Sequence, residues 1–318
     1  MKGYKAFNKG LICKGKQYKE NETFEEERAV PCHRGMHFCK NPFDVLNFYH
    51  LVDDKGEFSD FAEVEAPDDA EVKTDDDIKY CTTKLKVGAK FSFAGFVKTC
   101  VDFVIEKTQT EKPDSGNSEQ IGSSGDSAQI GSSGYYAQIG SSGYYAQIGS
   151  SGYYAKIGSS GNSAKIGSSG YSAQIGSSGN SAKIGSSGDS AQIGSSGNSA
   201  KIGSSGDYAQ IGSSGYYAQI GSSGNSAKIG SSGNSAKIGS SGYYAKIKST
   251  GYDSIICCAG DDSCVSAKKG SWITLAEWKY SYEKDRYVPK CVKTEYVDGE
   301  RIKEDTMYKL IDGEFTEV

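Results

Sequence analysis

Hydrophobic and polar positions between residues 117 and 251 follow a single nine-residue pattern. An isoleucine recurs at every ninth position from Ile121 to Ile247, and in all but the first unit an alanine stands two positions before it. Side chains alternate between the two sides of a strand, so in Tyr135–Ile139 the alanine and the isoleucine share one side. Gly-Ser-Ser-Gly follows all but the last of these isoleucines. Because glycine accepts positive φ angles, we expect these glycines to form tight corners. The pattern predicts fifteen short strands joined by turns.

One unit of this length cannot bury its isoleucine, whereas stacked units bury a continuous column of isoleucine and alanine. A helix is excluded because two glycines would interrupt it in every unit, and collagen is excluded because glycine does not occupy every third position. The sequence therefore predicts a mainly β protein built around a parallel β-solenoid. Two units per coil, which fits a thin interior, would give about eight coils and a length of roughly 35–40 Å. Three units per coil is the alternative.

The flanking segments have ordinary globular composition. Residues 1–112 are predicted to form a small α+β domain that caps one end of the solenoid. Its strand-like runs are Gly10–Cys13, Phe61–Val64, Lys84–Val87 and Phe91–Phe93, and its helix candidate is Asn41–Leu51, with Asn41 as the N-cap. Thr108–Gly116 is a turn-rich junction. The solenoid is assigned to residues 113–256.

Residues 257–318 are predicted to form an antiparallel β cap. Strands are expected at Trp272–Tyr280 and Tyr287–Tyr296. The two Asp-Gly pairs, Asp298-Gly299 and Asp312-Gly313, are typical of β-hairpin turns. Cys257, Cys258 and Cys264, where the repeat decays, are expected to be small core residues.

Composition narrows the possible settings of the protein. The chain has 318 residues, 36% of them hydrophobic, and a formal net charge of −4, so it does not call for a polyanionic partner. There is no apolar run of membrane-spanning length and no signal peptide pattern. Nine cysteines at irregular spacing favour free thiols. These features predict a cytoplasmic protein without a membrane segment.

Only three positions of the repeat vary. With two units per coil, one face carries glutamine or lysine in the order Gln129, Gln147, Lys165, Lys183, Lys201, Gln219, Lys237. The lysines Lys165, Lys183, Lys201 and Lys237 form a candidate binding row, although neighbouring charges would also repel. The candidate binding tyrosines occur in pairs: Tyr135 and Tyr136, Tyr144 and Tyr145, Tyr153 and Tyr154, Tyr216 and Tyr217, Tyr243 and Tyr244. They either stack between coils or recognise a partner.

The sequence does not indicate a catalytic site or a cofactor. Cys32, His33, His37 and Cys39 are the densest group of possible zinc ligands or of a Cys–His nucleophile pair, but no paired C-x-x-C occurs and a turn followed by a half-buried strand explains them as well. The repeat is similar in length to the nonapeptide of calcium-binding β-rolls. Its corners lack the carboxylates that Ca²⁺ requires, so we expect no calcium dependence.

The end segments resemble a family of uncharacterised proteins encoded by bacteriophages and prophages. The phrases that carry the resemblance are GYKAFNKGLICKGKQY, GMHFCKNPFDVLNFY, FAEVEA and GSWITLAEW with VDGERIKEDTMYKL. The resemblance implies a phage setting and no reaction. From it we expect a non-enzymatic interaction scaffold that binds a host protein and inhibits a bacterial defence factor, with nucleic acid an unfavoured partner and the oligomeric state open. A structural accessory of the virion and an enzyme with its site in the N-terminal domain are the alternatives.

Overall fold

The structure, a computed structural model, describes residues 1–49, 51–52, 58–75, 77–110 and 117–318, with side chains in the helix to residue 104. It is mainly β, with 46% strand and 6% helix. The expected boundary between residues 112 and 113 lies outside the described residues, as does His50 in the predicted helix. All nine cysteines are unpaired in this structure.

The N-terminal domain contains a seven-stranded antiparallel sheet and a small hairpin. Its strands are β1 (Lys2–Phe7), β2 (Ile12–Cys13), β3 (Lys16–Gln17), β4 (Thr23–Glu25), β5 (Met36–Cys39), β6 (Asp60–Glu65), β7 (Val72–Thr74), β8 (Lys79–Thr82) and β9 (Lys84–Lys90). The sheet order is β4-β9-β6-β1-β5-β8-β7, and β2 pairs with β3. Because successive side chains of β1 point to opposite sides, the sheet separates two hydrophobic clusters, one with Ala6 and one with Phe7.

The helices of this domain differ from the prediction. The segment predicted as a helix at Asn41–Leu51 forms only a 3-10 helix, Pro42–Asn47, although Asn41 caps it as expected, its Oδ1 accepting from the Phe43 amide at 2.9 Å. Phe91–Phe93 is not a strand: Phe93 begins α1 (Phe93–Thr110), which the sequence did not lead us to expect. Phe96, Cys100 and Val104 are buried at four-residue spacing, so the helical signal was present.

The repeats form a parallel β-solenoid with two units per coil, about nine turns over residues 120–275. The fifteen repeat strands are β10 (Gln120–Ser123), β11 (Gln129–Ser132), β12 (Gln138–Ser141), β13 (Gln147–Ser150), β14 (Lys156–Ser159), β15 (Lys165–Ser168), β16 (Gln174–Ser177), β17 (Lys183–Ser186), β18 (Gln192–Ser195), β19 (Lys201–Ser204), β20 (Gln210–Ser213), β21 (Gln219–Ser222), β22 (Lys228–Ser231), β23 (Lys237–Ser240) and β24 (Lys246–Ser249). Each strand pairs in parallel with the strand two places further along the chain, so that Ile139 lies beside Ile157. Even-numbered strands form one sheet and odd-numbered strands the other. Alanines and isoleucines of the central units are buried between the two sheets, as predicted.

The corners of the coil do not use glycine as we expected. The second glycine of Gly-Ser-Ser-Gly has no positive φ; in ten of the fifteen units the positive φ is at the second variable position, as in Ser190 (56°) and Tyr208 (58°). This second glycine, which we call the turn glycine, is needed because no side chain fits at its position. A Cβ built on Gly188 would lie 1.8 Å from the carbonyl oxygen of Gly170, the equivalent glycine one coil earlier. Adjacent coils can stack only where no side chain separates their backbones.

The first variable position joins neighbouring coils when it is Asn or Asp. The Oδ1 of Asn180 accepts from the amide of Asn198 at 2.9 Å, and the Oδ1 of Asp207 accepts from the amide of Asn225 at 2.6 Å. The bonded residues are eighteen positions apart, which is one coil. The choice of residue at the first variable position therefore affects how neighbouring coils are held together, because Asn and Asp form this hydrogen bond through their side chains.

The C-terminal segment extends both sheets. Its strands are β25 (Ile255–Cys258), β26 (Cys264–Ser266), β27 (Trp272–Ser281), β28 (Arg286–Tyr296), β29 (Tyr308–Ile311) and β30 (Glu314–Glu317). The start of β27 still pairs in parallel with β25, and then β27 with β28 and β29 with β30 form antiparallel hairpins.

Only one of the two Asp-Gly pairs forms the expected hairpin turn. Asp312-Gly313 connects β29 to β30, with both residues at positive φ. Asp298-Gly299 does not connect paired strands. The Oδ1 of Asp298 accepts three backbone amides, those of Glu300, Arg301 and Ile302, and this closes a loop.

The N-terminal domain lies along one side of the solenoid, so the prediction that it caps an end was wrong. Helix α1 packs across β10, β12, β14, β16 and β18, all in the even-numbered sheet. Further along the same sheet, Phe58 and Val52 approach Gly230. A Cβ built on the outward glycines of the opposite sheet meets no atom of the described part of this domain.

Candidate binding face of the solenoid

The two sheets of the solenoid present chemically similar outer faces with different occupants. We call the outer face of the even-numbered repeat strands, β10 to β24, the covered face, and that of the odd-numbered repeat strands, β11 to β23 together with β25, the free face. On both, each repeat strand turns outward a glutamine or lysine and the first glycine of Gly-Ser-Ser-Gly, because Ile and the following Ser point inward. The exception is β24, which has Lys248 at the glycine position. The covered face therefore shows what kind of surface such a face can hold.

Polar residues on the covered face bind the segment around the 3-10 helix. The Nζ of Lys156 lies 2.5 Å from Oδ1 of Asp44. The Nε2 of Gln174 donates to Oδ1 of Asn47 at 2.9 Å. Further along the same row, Gln192 donates to the carbonyl of Leu46 and Gln210 accepts from the amide of Leu51. The variable Gln/Lys position is thus a docking position here.

Apolar side chains of the N-terminal domain sit directly above the glycines of the covered face. A Cβ built on Gly194 would lie 3.0 Å from Cγ2 of Val97, and one on Gly212 would lie 2.6 Å from Cζ of Phe93. These glycines have ordinary φ angles, so they are needed for close approach and not for backbone conformation.

Among the residues that the structure describes, nothing packs above the glycines of the free face. A Cβ built on any of them meets at most one atom, at 4.0 Å for Gly167, and none within 4 Å at the others: Gly131, Gly149, Gly185, Gly203, Gly221 and Gly239. A shallow groove of about 1240 Å³ follows this row from Gln129 to Cys257. Glycine weakens a strand, and its usual justification is the close approach of another backbone or ligand. Within the described chain no such neighbour exists on this face.

The lysines of the free face form an unneutralised row. Lys165, Lys183 and Lys201 are register partners in three successive coils, and Lys237 stands two coils further, beyond Gln219. All four are exposed, and none forms an ion pair in the part of the chain that the structure describes. The outward positions of these strands hold no carboxylate. The face is therefore a cationic surface on an acidic protein.

The tyrosines do not gather on one face. They lie in the turns at the two edges between the sheets. Tyr135, Tyr153 and Tyr171 stack in successive coils, with ring centroids 5.1 and 4.9 Å apart, and Tyr136 stacks on Tyr154 at 5.5 Å. The remaining candidates, which are exposed, stand on one or the other edge: Tyr144, Tyr145, Tyr216, Tyr217, Tyr243 and Tyr244. Stacking between coils is therefore present, and a recognition role for the tyrosines stays a prediction.

The Cys and His candidates of the N-terminal domain differ in burial and in their contacts. Cys32 is exposed, and its amide donates to Nε2 of His37 at 3.2 Å. Cys39 is buried, and burial, with the Asp44 charge, raises the pKa of its thiol to about 12. His33 is exposed. No group of three or more His, Cys, Asp or Glu residues in the described ranges is arranged to hold a metal ion.

His37 is held in its neutral form. Burial and the nearby charges of Lys5, Lys79 and Lys14 lower its pKa to about 4. The neutral ring can accept the Cys32 amide, whereas a protonated ring cannot. Among the described residues, Nε2 of His37 is bonded by the backbone amide of Cys32 and not by a thiol.

Comparison with known proteins finds a match for one part of the chain, the N-terminal domain. Residues 1–99 match the model of a domain of unknown function, DUF7666. The match covers the N-terminal sheet and the start of α1. No curated protein and no solved structure matches the chain. Among the described residues, no helix combines the length and apolar character needed to cross a bilayer.

Sequence reasoning located the lysine row and missed the glycines as binding positions. The alternation along each strand already placed the first glycine on the outer side with Gln or Lys, so that signal was available. The expectation that Cys257 lies in the core was wrong. Cys257 is exposed, because it occupies the register position of the free-face glycines beside Gly239. Cys258 and Cys264 are buried as expected.

Proposed function

We propose that the protein is a non-enzymatic interaction scaffold that binds an acidic protein along the free face. The observation that carries this is the pair of equivalent glycine rows, one filled by the N-terminal domain and the other open. The covered face serves as an internal template. There the occupant provides apolar side chains above the glycines and a carboxylate, Asp44, opposite a lysine.

The charge of the free face selects among possible occupants. A second copy of the chain, placed face to face, would bring one lysine row against another, which costs energy in a desolvated interface. A partner with carboxylates would relieve the repulsion along Lys165, Lys183 and Lys201. The flat glycine groove favours a protein surface with projecting apolar side chains over the rounded phosphate backbone of a duplex.

The rigid solenoid contributes preorganisation. Backbone hydrogen bonds and side-chain ladders hold the outward positions in register along the free face. Binding of a partner therefore costs little conformational entropy on this surface. The affinity for the partner then depends mainly on the contacts that form. The bacteriophage setting and inhibition of a bacterial defence factor remain part of the proposal, supported by the resemblance of the end segments. The observations favour neither the virion component nor the enzyme over this scaffold.

The test compares three forms of the full chain as baits in a bacterial lysate. They are the wild type, the free-face variant Lys165→Glu, Lys183→Glu, Lys201→Glu, and the charge-matched control Lys279→Glu, Lys284→Glu, Arg286→Glu in the C-terminal hairpin. Quantitative mass spectrometry should find a protein held by the wild type and the control but lost from the free-face variant. The purified partner should then bind with an affinity that falls as salt rises.

Two results would overturn the proposal. One is that the three baits retain the same proteins, so that no interaction depends on the free face. The other is a concentration-dependent dimer of the wild type, seen by light scattering and lost in the free-face variant, which would make a second copy the occupant. Circular dichroism of the variants checks that the solenoid remains folded.

A further inference from the structure

A separate pocket lies in the N-terminal domain where two neighbouring strands diverge. Strands β1 and β5 pair only at Tyr4 and Cys39. Beyond that point the Nζ of Lys5 donates to the carbonyl oxygen of His37 at 2.8 Å, in place of a backbone hydrogen bond. A cavity of about 360 Å³ opens there, lined also by the β2–β3 hairpin. The pocket is therefore formed by the main sheet and does not depend on the solenoid faces.

Lys5 is the unusual group of this pocket. The residue is only 5% exposed, and no carboxylate forms an ion pair with it in the described chain. The amine lies 5.3 Å from the ring centre of Phe7 and 5.8 Å from that of Tyr18. Burial lowers the pKa of this ammonium group. A buried lysine without a counter-charge is costly to keep, and a bound anion would offset that cost.

The remaining lining adds positive charge. Lys14, Lys16 and Lys79 join Lys5 around the cavity, and the only carboxylate in the described lining is Glu26, which pairs with Lys16 at 2.6 Å. The whole chain has a net charge of −4, so this local excess of lysine is opposite in sign to the protein. An anionic ligand would be drawn to the pocket and a cationic ligand repelled.

Aromatic rings complete the lining. Tyr18, Phe48 and Tyr49 border the cavity, and the Oη of Tyr49 lies 2.7 Å from Sγ of Cys13, which fixes that ring. Lysines and aromatic rings together suit a ligand that has both a negative charge and a planar ring. The volume lies at the small end of the range for small-molecule sites and excludes a folded partner.

We infer that this pocket binds a phosphorylated nucleoside, with Lys5 and Lys14 around the phosphate groups and Tyr18, Phe48 or Tyr49 against the base. Lys5 is the buried anchor of the phosphate, while Lys14 stands nearer the opening. The inference concerns binding and assigns no reaction. It is independent of the free face, since none of the pocket residues belongs to the solenoid.

The experiment is a calorimetric titration of the full chain with ADP, GDP, CDP and UDP, with inorganic phosphate and adenosine as separate arms. At least one nucleoside diphosphate should bind with a Kd below about 1 mM. Phosphate and adenosine should each bind at least about tenfold more weakly than the best nucleotide. Lys5→Met, which keeps an unbranched side chain one atom shorter and without charge, should weaken binding of that nucleotide by about 10- to 100-fold.

Two matched variants keep the test specific. Lys40→Met removes an exposed lysine that lies over the Tyr80 ring outside the pocket, and it should leave binding unchanged. The free-face triple variant should also bind the nucleotide normally. If none of the four nucleotides binds, or if Lys5→Met binds as the wild type does, the inference is overturned. If inorganic phosphate binds as tightly as the best nucleotide, the assignment of a nucleoside is overturned.

Discussion

Lys156 of the solenoid and Asp44 of the N-terminal domain, 112 positions apart in the chain, form an ion pair of 2.5 Å that is mostly shielded from solvent. Removing one partner leaves the other charge buried and unpaired. We expect Asp44→Ala to lower the free energy of unfolding by about 2–3 kcal/mol, below the value for a fully buried pair because both groups keep some exposure. Urea denaturation measures this effect.

The double variant is the sharper test of the same pair. Asp44→Ala with Lys156→Met should recover most of the lost stability, because no unpaired charge remains. Lys165→Met on the free face is the matched control and should change stability by less than about 0.5 kcal/mol. A single variant Asp44→Ala as stable as the wild type would show that the pair does not hold the two parts together.

The two faces of the solenoid predict opposite effects for the same substitution at equivalent glycines. Gly212 lies beneath Phe93, so Gly212→Val forces apart a packed contact and should cost about 1–3 kcal/mol. Gly221, in the next unit, has no atom within 4 Å of the position that a Cβ would take, so Gly221→Val should be neutral or stabilising by up to about 1 kcal/mol. Thermal unfolding of the two variants gives the comparison. Equal destabilisation by both would contradict the distinction between a covered and a free face.

The turns of the solenoid predict different effects for substitutions at the turn glycine and at the second variable position. Gly188→Ala should disrupt coil stacking, because its Cβ would lie 1.8 Å from the Gly170 carbonyl oxygen and backbone atoms cannot move aside without separating the coils. Ser190→Gly at a positive φ of 56° should be tolerated or slightly stabilising. Ser190→Val should destabilise by about 1–2 kcal/mol. Circular dichroism and thermal melting follow the solenoid. A stable Gly188→Ala variant would remove close backbone approach as the reason for this glycine.

Much of the solenoid was predictable because each repeat carries the same strong local signal. Ala137 and Ile139 share a strand face whichever neighbours they meet, so strand, register and buried column follow from alternation alone. The place of the N-terminal domain was not predictable in this way. Both faces repeat the same motif, and only the tertiary contacts of Phe93, Val97 and Asp44 distinguish them.

Other features depended on contacts between residues distant in the sequence. Lys5, His37 and Lys79 meet in the pocket because three strands bring them together, and no spacing in the sequence indicates this. Helix α1 is a different case. Its apolar periodicity was present in the sequence, but Phe93 at its start and Phe91 just before it suggested a strand.

The stacked tyrosines allow a direct test of their structural role. Tyr153 lies between Tyr135 and Tyr171, with ring centroids 5.1 and 4.9 Å away. Tyr153→Ala should lower the free energy of unfolding by about 1–2 kcal/mol, since two aromatic contacts are lost. Tyr208→Ala, at an exposed position that makes no ring contact in the described chain, is the control and should have a smaller effect. Equal effects of the two variants would mean that stacking does not stabilise the coils.

His37 predicts a specific pH dependence of stability. Its pKa is lowered to about 4 in the folded protein by burial, then by Lys5, Lys79 and Lys14, while an unfolded histidine titrates near its ordinary value of 6.5. Between these two values the unfolded chain binds a proton that the folded chain does not, so stability falls as the pH drops from about 6.5 to 4.

His37→Gln should flatten this part of the curve of stability against pH relative to the wild type. His33→Gln, at an exposed position, should leave it unchanged, and the difference between the two variants in urea denaturation at about pH 4.5 and 7.5 isolates the contribution of His37. Identical pH profiles for both variants would contradict a neutral, buried imidazole at this position.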